Sequence, residues 1–117
     1  MELRKFTVNG KEVEFANAFR GTRSGFAHDT TMFIDGVRVA ENTCHYINRT
    51  WERYTYQSVM RGAVYTLLEG RENRLKEQFK AERGYTKMTP KRQLEFAEVV
   101  DADEGIRFYR EIRDALA

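Results

Sequence analysis

Cysteine, proline and histidine are scarce in this chain of 117 residues, which holds one Cys, one Pro and two His. A lone Cys44 excludes an internal disulfide framework and a multi-cysteine metal site within one chain. One Pro and eight Gly argue against disorder, collagen-like repeats or a Pro-rich linker. No apolar run approaches the roughly 18 residues that a membrane span requires. The start, Met1-Glu2-Leu3-Arg4-Lys5, lacks the apolar stretch of a signal peptide, so the expected compartment is the cytoplasm. Neither charge sign dominates, with 20 Lys plus Arg against 18 Asp plus Glu.

What is present is an ordinary globular composition, 41% hydrophobic and 32% charged, at a length that predicts one domain with one core. Charge becomes informative when divided along the chain. Residues 1–48 are balanced, residues 49–92 carry eleven basic against five acidic side chains, and residues 93–117 carry three against seven. A basic middle and an acidic tail suit steering of a charged partner, and equally suit mutual neutralisation in the fold.

The first 48 residues read as antiparallel strands. Phe6-Thr7-Val8, Asn9-Gly10 and Lys11-Glu12-Val13-Glu14-Phe15 form a hairpin pattern with a type I′ turn. In that register Phe6 faces Val13, Lys5 faces Glu14 and Thr7 faces Glu12. The second strand extends to Phe19, and Gly21 to Gly25 reads as a loop. A second hairpin runs from Phe26 to Ile34, turns at Asp35-Gly36 and returns from Val37 to Ile47. A two-residue turn there pairs Ile34 with Val37 and Met32 with Val39.

The period then changes. Asn48 and Thr50 are candidate N-caps before Trp51. Val59, Met60, Ala63, Val64, Leu67 and Leu68 recur at helical spacing, continuing through Leu75 and Phe79 to a stop at Gly84. Gly70 is a candidate interruption of this long helix over 49–84. Thr89-Pro90 restarts a helix, with Leu94, Ala97 and Val100 as its apolar stripe. Asp101 and Glu104 resemble a capping box for a last helix, on which Phe108, Ile112 and Ala115 share a face beside Leu116. The expectation is a single α+β domain: a four-stranded antiparallel meander over 1–48, the long helix, and one or two helices within 89–117.

No residue pattern here specifies a catalytic centre, a cofactor or a metal. In the expected register His28 lies opposite Thr43 and shares a face with His45. Such a pair can serve as general base and acid on an RNA phosphodiester, or join Glu41 at a metal, and is also an ordinary pair of strand histidines. The loop from Gly21 to Gly25, with Arg20 and Arg23, can cradle a phosphate but lacks the Gly-Lys-Ser/Thr ending of a P-loop. Cys44 reads as a small packed hydrophobe, since His45 points to the opposite face.

Two stretches are candidates for a partner or nucleic-acid surface. Tyr46 to Gln57 interleaves aromatics and arginines at a strand-to-helix junction, and Arg49, Arg53, Tyr54 and Tyr56 suit phosphates, bases or an interface, while Trp51 suits anchoring the helix. Further on, Arg71, Arg74, Lys76, Lys80, Arg83, Lys87, Lys91 and Arg92 form a basic run that is also an ordinary solvated helix face. Lys91 and Arg92 oppose the dipole of their own helix, so local stability did not select them.

The segment Asn42 to Met60, centred on Cys44-His45-Tyr46-Ile47-Asn48-Arg49-Thr50-Trp51-Glu52-Arg53-Tyr54, resembles small proteins carried by phages, plasmids and conjugative elements of Gram-positive bacteria. Gly25-Phe26-Ala27-His28-Asp29-Thr30-Thr31 adds to the resemblance, which spans residues 3 to 85 and leaves the acidic tail outside. Some proteins of this kind are anti-CRISPR inhibitors of the type II effector nuclease. The resemblance implies a non-enzymatic inhibitor in the bacterial host cytoplasm, bound to the effector nuclease, its guide RNA, or both. It carries no catalytic motif. An inhibitor that imitates DNA is strongly acidic and this chain is not, so its basic segment suits competition for guide RNA or an acidic protein surface. Two alternatives stay open: a nucleic-acid-binding accessory protein of a mobile element, and a small ribonuclease using His28 and His45. An uncovered sheet face also suits a homodimer.

Overall fold

The computed structural model describes residues 1–46 and 56–117. Four strands, β1 (Glu2–Val8), β2 (Lys11–Thr22), β3 (Gly25–Ile34) and β4 (Val37–Tyr46), form one antiparallel sheet in the order β1-β2-β3-β4. Three helices follow: α1 (Tyr56–Arg83), α2 (Pro90–Ala102) and α3 (Glu104–Ala115). The expected α+β meander is therefore the fold. Residues 49–55 of the expected long helix, with the candidate N-caps Asn48 and Thr50 and the expected anchor Trp51, lie outside the described residues.

The first hairpin has the expected register, with Phe6 opposite Val13 and Lys5 opposite Glu14. Its turn residues, Asn9 at φ 51° and Gly10 at φ 76°, adopt the left-handed conformation that a type I′ turn requires. The loop expected from Gly21 to Gly25 is shorter than its composition suggests. Thr22 pairs with Gly25, so Arg23-Ser24 alone connects β2 to β3.

The second hairpin departs from its expected register. Ile34 does pair with Val37, but Phe33 pairs with Arg38 and Met32 with Ala40, leaving Val39 as the extra residue of a β-bulge. Beyond a bulge every residue of the bulged strand changes its partner by one and alternates on the other face. His28 consequently pairs with Cys44, and Thr43 pairs with Asp29.

Helices α1 and α3 pack on one face of the sheet and α2 packs against those two helices, the usual way an antiparallel sheet acquires a core side and an open side. Val13, Phe15 and Met32 meet Met60, Ala63, Val64, Ile112 and Leu116 there in the main core. A second cluster, Phe79, Phe96, Val100 and Ile106, joins the far end of α1 to α2 and α3. Helix α1 is continuous through Gly70 because packing along its length outweighs the roughly 1 kcal/mol preference against glycine. It ends where expected: Gly84 takes φ 69°, and Tyr85 N–H donates to the Lys80 carbonyl at 2.8 Å, closing a Schellman motif.

Thr89 caps α2 by accepting from Arg92 N–H, with Pro90 at the first helical position as expected. Phe96 and Val100 are buried on α2, whereas Leu94 and Ala97 point to solvent, so the apolar stripe is offset from the expected one. Asp103, not Asp101, caps α3 by accepting from Ile106 N–H at 2.9 Å. On α3 the buried residues are Ile106 and Ile112, followed by Leu116, while Ala115 is exposed.

Candidate functional site

Alternation along β2 places Val13, Phe15, Asn17 and Phe19 successively on the core face. Their partners on β3 are Ile34, Met32, Thr30 and His28, and β4 supplies Asn42, Cys44 and Tyr46 to the same side. The sheet thus changes character along its length. After the apolar rows comes a polar row of Asn17, Thr30 and Asn42, then a row of Phe19, His28 and Cys44, and finally Phe26 beside Tyr46.

The described part of helix α1 begins at Tyr56, and its first buried residues, Val59 and Met60, sit over the polar row. Asn42 Nδ2 donates to the Val59 carbonyl at 3.1 Å, and Asn17 Nδ2 reaches Met60 Sδ at 3.4 Å. Asn42 also lies against Gly62, where a side chain would collide with its amide. Beyond this seam the last rows of the sheet outrun the described part of the helix layer.

An open pocket of about 430 Å³ occupies that end, lined by Phe19, Phe26, His28 and Tyr56. Phe19 and Phe26 stack at 5.6 Å with an interplanar angle of 19°, and they remain 47% and 36% exposed. His28 is only 7% exposed. Its ring lies 5.2 Å from Phe19, 5.5 Å from Tyr46 and 4.9 Å from Tyr56, the last edge-on. Burial pushes the His28 imidazole below its ordinary pKa, the neighbouring Asp29 carboxylate acting weakly the other way. Its Nδ1 is buried and has no hydrogen-bond partner among the described residues.

The opposite face carries a separate cluster. Arg20 Nε donates to Asp29 at 2.7 Å and Thr43 Oγ1 donates to the same carboxylate at 2.6 Å. These bonds hold the Asp29 carboxyl below the ordinary range, with His45 contributing a smaller electrostatic effect. His45 pairs with Ala27 and is exposed on this face. His28 and His45 therefore stand on opposite sides of the sheet, not on the shared face of the expected register, and the acid–base pair that register allowed does not assemble. Burial raises the Cys44 thiol pKa, the reverse of what a nucleophile needs. Among the described residues no three His, Cys, Asp or Glu side chains gather as a metal site.

Of the residues proposed from sequence, Tyr56 belongs to the pocket, whereas Arg49, Arg53 and Tyr54 lie outside the described residues. Several of the basic side chains are engaged within the fold. Arg71 grips Asp103 through two bonds of 3.0 and 2.8 Å, and Arg83 pairs with Glu95 at 3.0 Å while lying over the Phe79 ring. Arg92 covers the Tyr85 ring at 3.8 Å and donates to the Lys87 carbonyl. Lys80 approaches Glu77 at 3.7 Å, and Arg74 and Lys91 are exposed. At about 100° per residue, Arg74 and Lys76 point to nearly opposite sides of α1, so the basic run does not form one face.

Sequence reasoning did not single out Phe19, Phe26 or the pocket role of His28. The available signal was the length of β2, whose core-facing alternation continues past the row that the helix pattern can cover. Family models, curated proteins and solved structures give no match to this chain. No helix among the described residues is long and apolar enough to cross a membrane.

Proposed function

We propose that this protein acts by binding, as a non-enzymatic inhibitor that associates with a bacterial type II CRISPR effector nuclease, its guide RNA, or both. The observation that supports this reading is the convergence of the two sequence stretches that carry the anti-CRISPR resemblance. Phe26 and His28 come from the first stretch and Tyr46 and Tyr56 from the second, and they meet around one exposed aromatic pocket. Exposed aromatic rings around a concave site are the composition of interface hot spots and of base-stacking surfaces. The ribonuclease alternative needs two imidazoles on one face, which the bulge in β4 prevents.

Cleavage of target DNA by a purified type II effector, with this protein added before or after guide RNA, tests the reading. The expected result is inhibition that saturates near one equivalent of protein and survives His45→Ala. Inhibition only when the protein precedes the guide places its action at assembly. Full cleavage in both orders, against several effectors, removes the reading. Nucleic-acid affinity without inhibition, falling steeply with salt, supports the accessory-protein alternative instead.

A further inference from the structure

Strand β2 outruns its neighbour. β1 pairs with it only from Lys11 to Asn17, whereas β2 continues to Thr22 with β3 alone beside it. In an antiparallel pair the N–H and C=O of one residue point to the same side, and successive residues alternate. The Glu12 carbonyl accepts from Asp35 N–H at 2.8 Å, so the even-numbered residues of β2 turn their main chain towards β3 and the odd-numbered ones towards β1. Past the end of β1, the N–H and C=O groups of Phe19 and Gly21 therefore face outwards with no strand of the sheet beside them.

Sheets protect free edges from pairing with other chains by charge and by bulges. The outer edge of β1 carries Glu2, Arg4 and Lys5, and that of β4 carries the bulge at Val39 with Arg38 and Glu41. The edge at Phe19 and Gly21 lacks both devices on its core face. Phe19 is 47% exposed there, and Gly21 stands opposite Phe26, which is 36% exposed. A Cβ added at Gly21 would meet nothing within 4 Å, so the strand leaves open space in front of Phe26. Arg20, between the two, points to the open face and is held by Asp29 at 2.7 Å.

The backbone selects the occupant. Two donor–acceptor pairs spaced two strand residues apart, roughly 6.8 Å, match the main chain of another strand and no nucleobase or small ring. The side chains add a pattern. A residue opposite Phe19 and one opposite Gly21 both project to the core face, the first against the Phe19 ring and the second across the glycine towards Phe26.

We infer that this free edge of β2 receives an extended segment of a partner protein, added as a strand in line with β1, with apolar side chains at two alternate positions on Phe19 and Phe26. This is recognition by strand addition, in which main-chain bonds give affinity and alternate side chains give specificity. The inference goes beyond the inhibitor reading: it fixes the kind of contact and holds for the nuclease or for any other protein that supplies such a segment.

The test is selection on the wild-type protein from a phage-displayed library of random linear peptides of about seven residues. Selected peptides are expected to carry apolar residues at alternate positions. The chosen peptide should slow amide exchange at Phe19 and Gly21 roughly 10-fold or more by nuclear magnetic resonance. N-methylation of its inward-facing amides should weaken binding about 10-fold, as should Phe19→Thr. Gly21→Pro, which removes an outward N–H and leaves the β2–β3 ladder intact, should do the same with unchanged far-ultraviolet circular dichroism. The N-methylated peptide is tested on wild-type protein, so that arm stands even where Gly21→Pro fails to fold. Selection without alternation, equal binding of the N-methylated peptide, or slowed exchange only at other amides overturns the inference. A wild-type dimer that Gly21→Pro converts to monomer assigns the edge to a second copy and also overturns it. Peptide binding at this edge by a protein that inhibits no effector upholds the inference and rejects the inhibitor reading, and inhibition by a protein whose edge takes no peptide does the reverse.

Discussion

The two halves of the core face differ more than the sequence of either suggests. Near the hairpin turns, Val13, Phe15 and Met32 are fully buried beneath α1 and α3, and this half is apolar throughout. Towards the other end lie Asn17, Thr30 and His28, all buried, with Asn17 Oδ1, Thr30 Oγ1 and His28 Nδ1 lacking hydrogen-bond partners among the described residues. Beyond them Phe19 and Phe26 remain partly exposed. Burying unpaired polar atoms opposes folding, and exposing aromatic rings forgoes burial. One half of the sheet therefore supplies stability, and the other departs from what stability alone favours in the way that binding surfaces do.

The largest effect is expected in the dry half. Phe15→Ala removes a fully buried ring and should lower unfolding free energy by about 3–5 kcal/mol, seen as a lower denaturant midpoint at unchanged slope. A loss below roughly 1 kcal/mol would show that this half is not the stabilising one. The seam between the halves comes next. A Cβ at Gly62 would lie 2.0 Å from Asn42 Nδ2, so Gly62→Ala must displace that amide from the Val59 carbonyl. About 1–3 kcal/mol of destabilisation is expected. Asn42→Ala removes the obstacle, so the double variant should be more stable than the sum of the single changes implies. Strict additivity would mean that Asn42 does not hold the helix to the sheet there.

The dry half was legible in the sequence because its signals are local. Asn9-Gly10 and Asp35-Gly36 set two turns, period-two alternation sets the face, and Met60, Ala63 and Val64 mark the covering stripe. The polar half was not legible because its placement depends on one extra residue, Val39, which shifts β4 by one partner and moves His45 to the open face. Nothing in Arg38-Val39-Ala40 marks a bulge, since each residue is compatible with either register. The charge map had a similar fate. The basic middle and acidic tail were plain in composition, but Arg71–Asp103 and Arg83–Glu95 spend part of both inside the fold. The caps show the finer limit: Asp101 and Asp103 are equally good capping residues two positions apart, and packing of Ile106 selects Asp103.

Titration separates the halves without removing bulk. The His28 pKa is depressed in the folded protein, so the unfolded chain binds the proton first as pH falls. Stability from the neutral imidazole is complete above about 6.5 and declines as pH drops from there through the lower folded value. The decline has an upper limit of about 1.4 kcal/mol per pH unit for one proton. His28→Phe replaces the unpaired nitrogen with an apolar ring and should flatten the profile below about pH 6.5. An unaltered slope in His28→Phe would remove His28 as the source of that dependence.

The smallest expected effect on stability is also the most discriminating between the halves. Phe19→Thr and Phe26→Thr keep a good strand former at each position, and both rings are already partly exposed. Each change should cost about 1 kcal/mol or less in chemical denaturation. Phe15→Ala, on the same strand two alternations away, is expected to cost several times more. A loss from Phe26→Thr as large as that from Phe15→Ala would mean that the rings are core residues, and the division of the sheet into a stabilising half and a binding half would fail. A small loss leaves their exposure without a structural purpose, since exposed phenylalanines on a strand end bring an association hazard and little folding energy. A site that tolerates truncation in stability but not in binding is the signature of residues placed for a ligand.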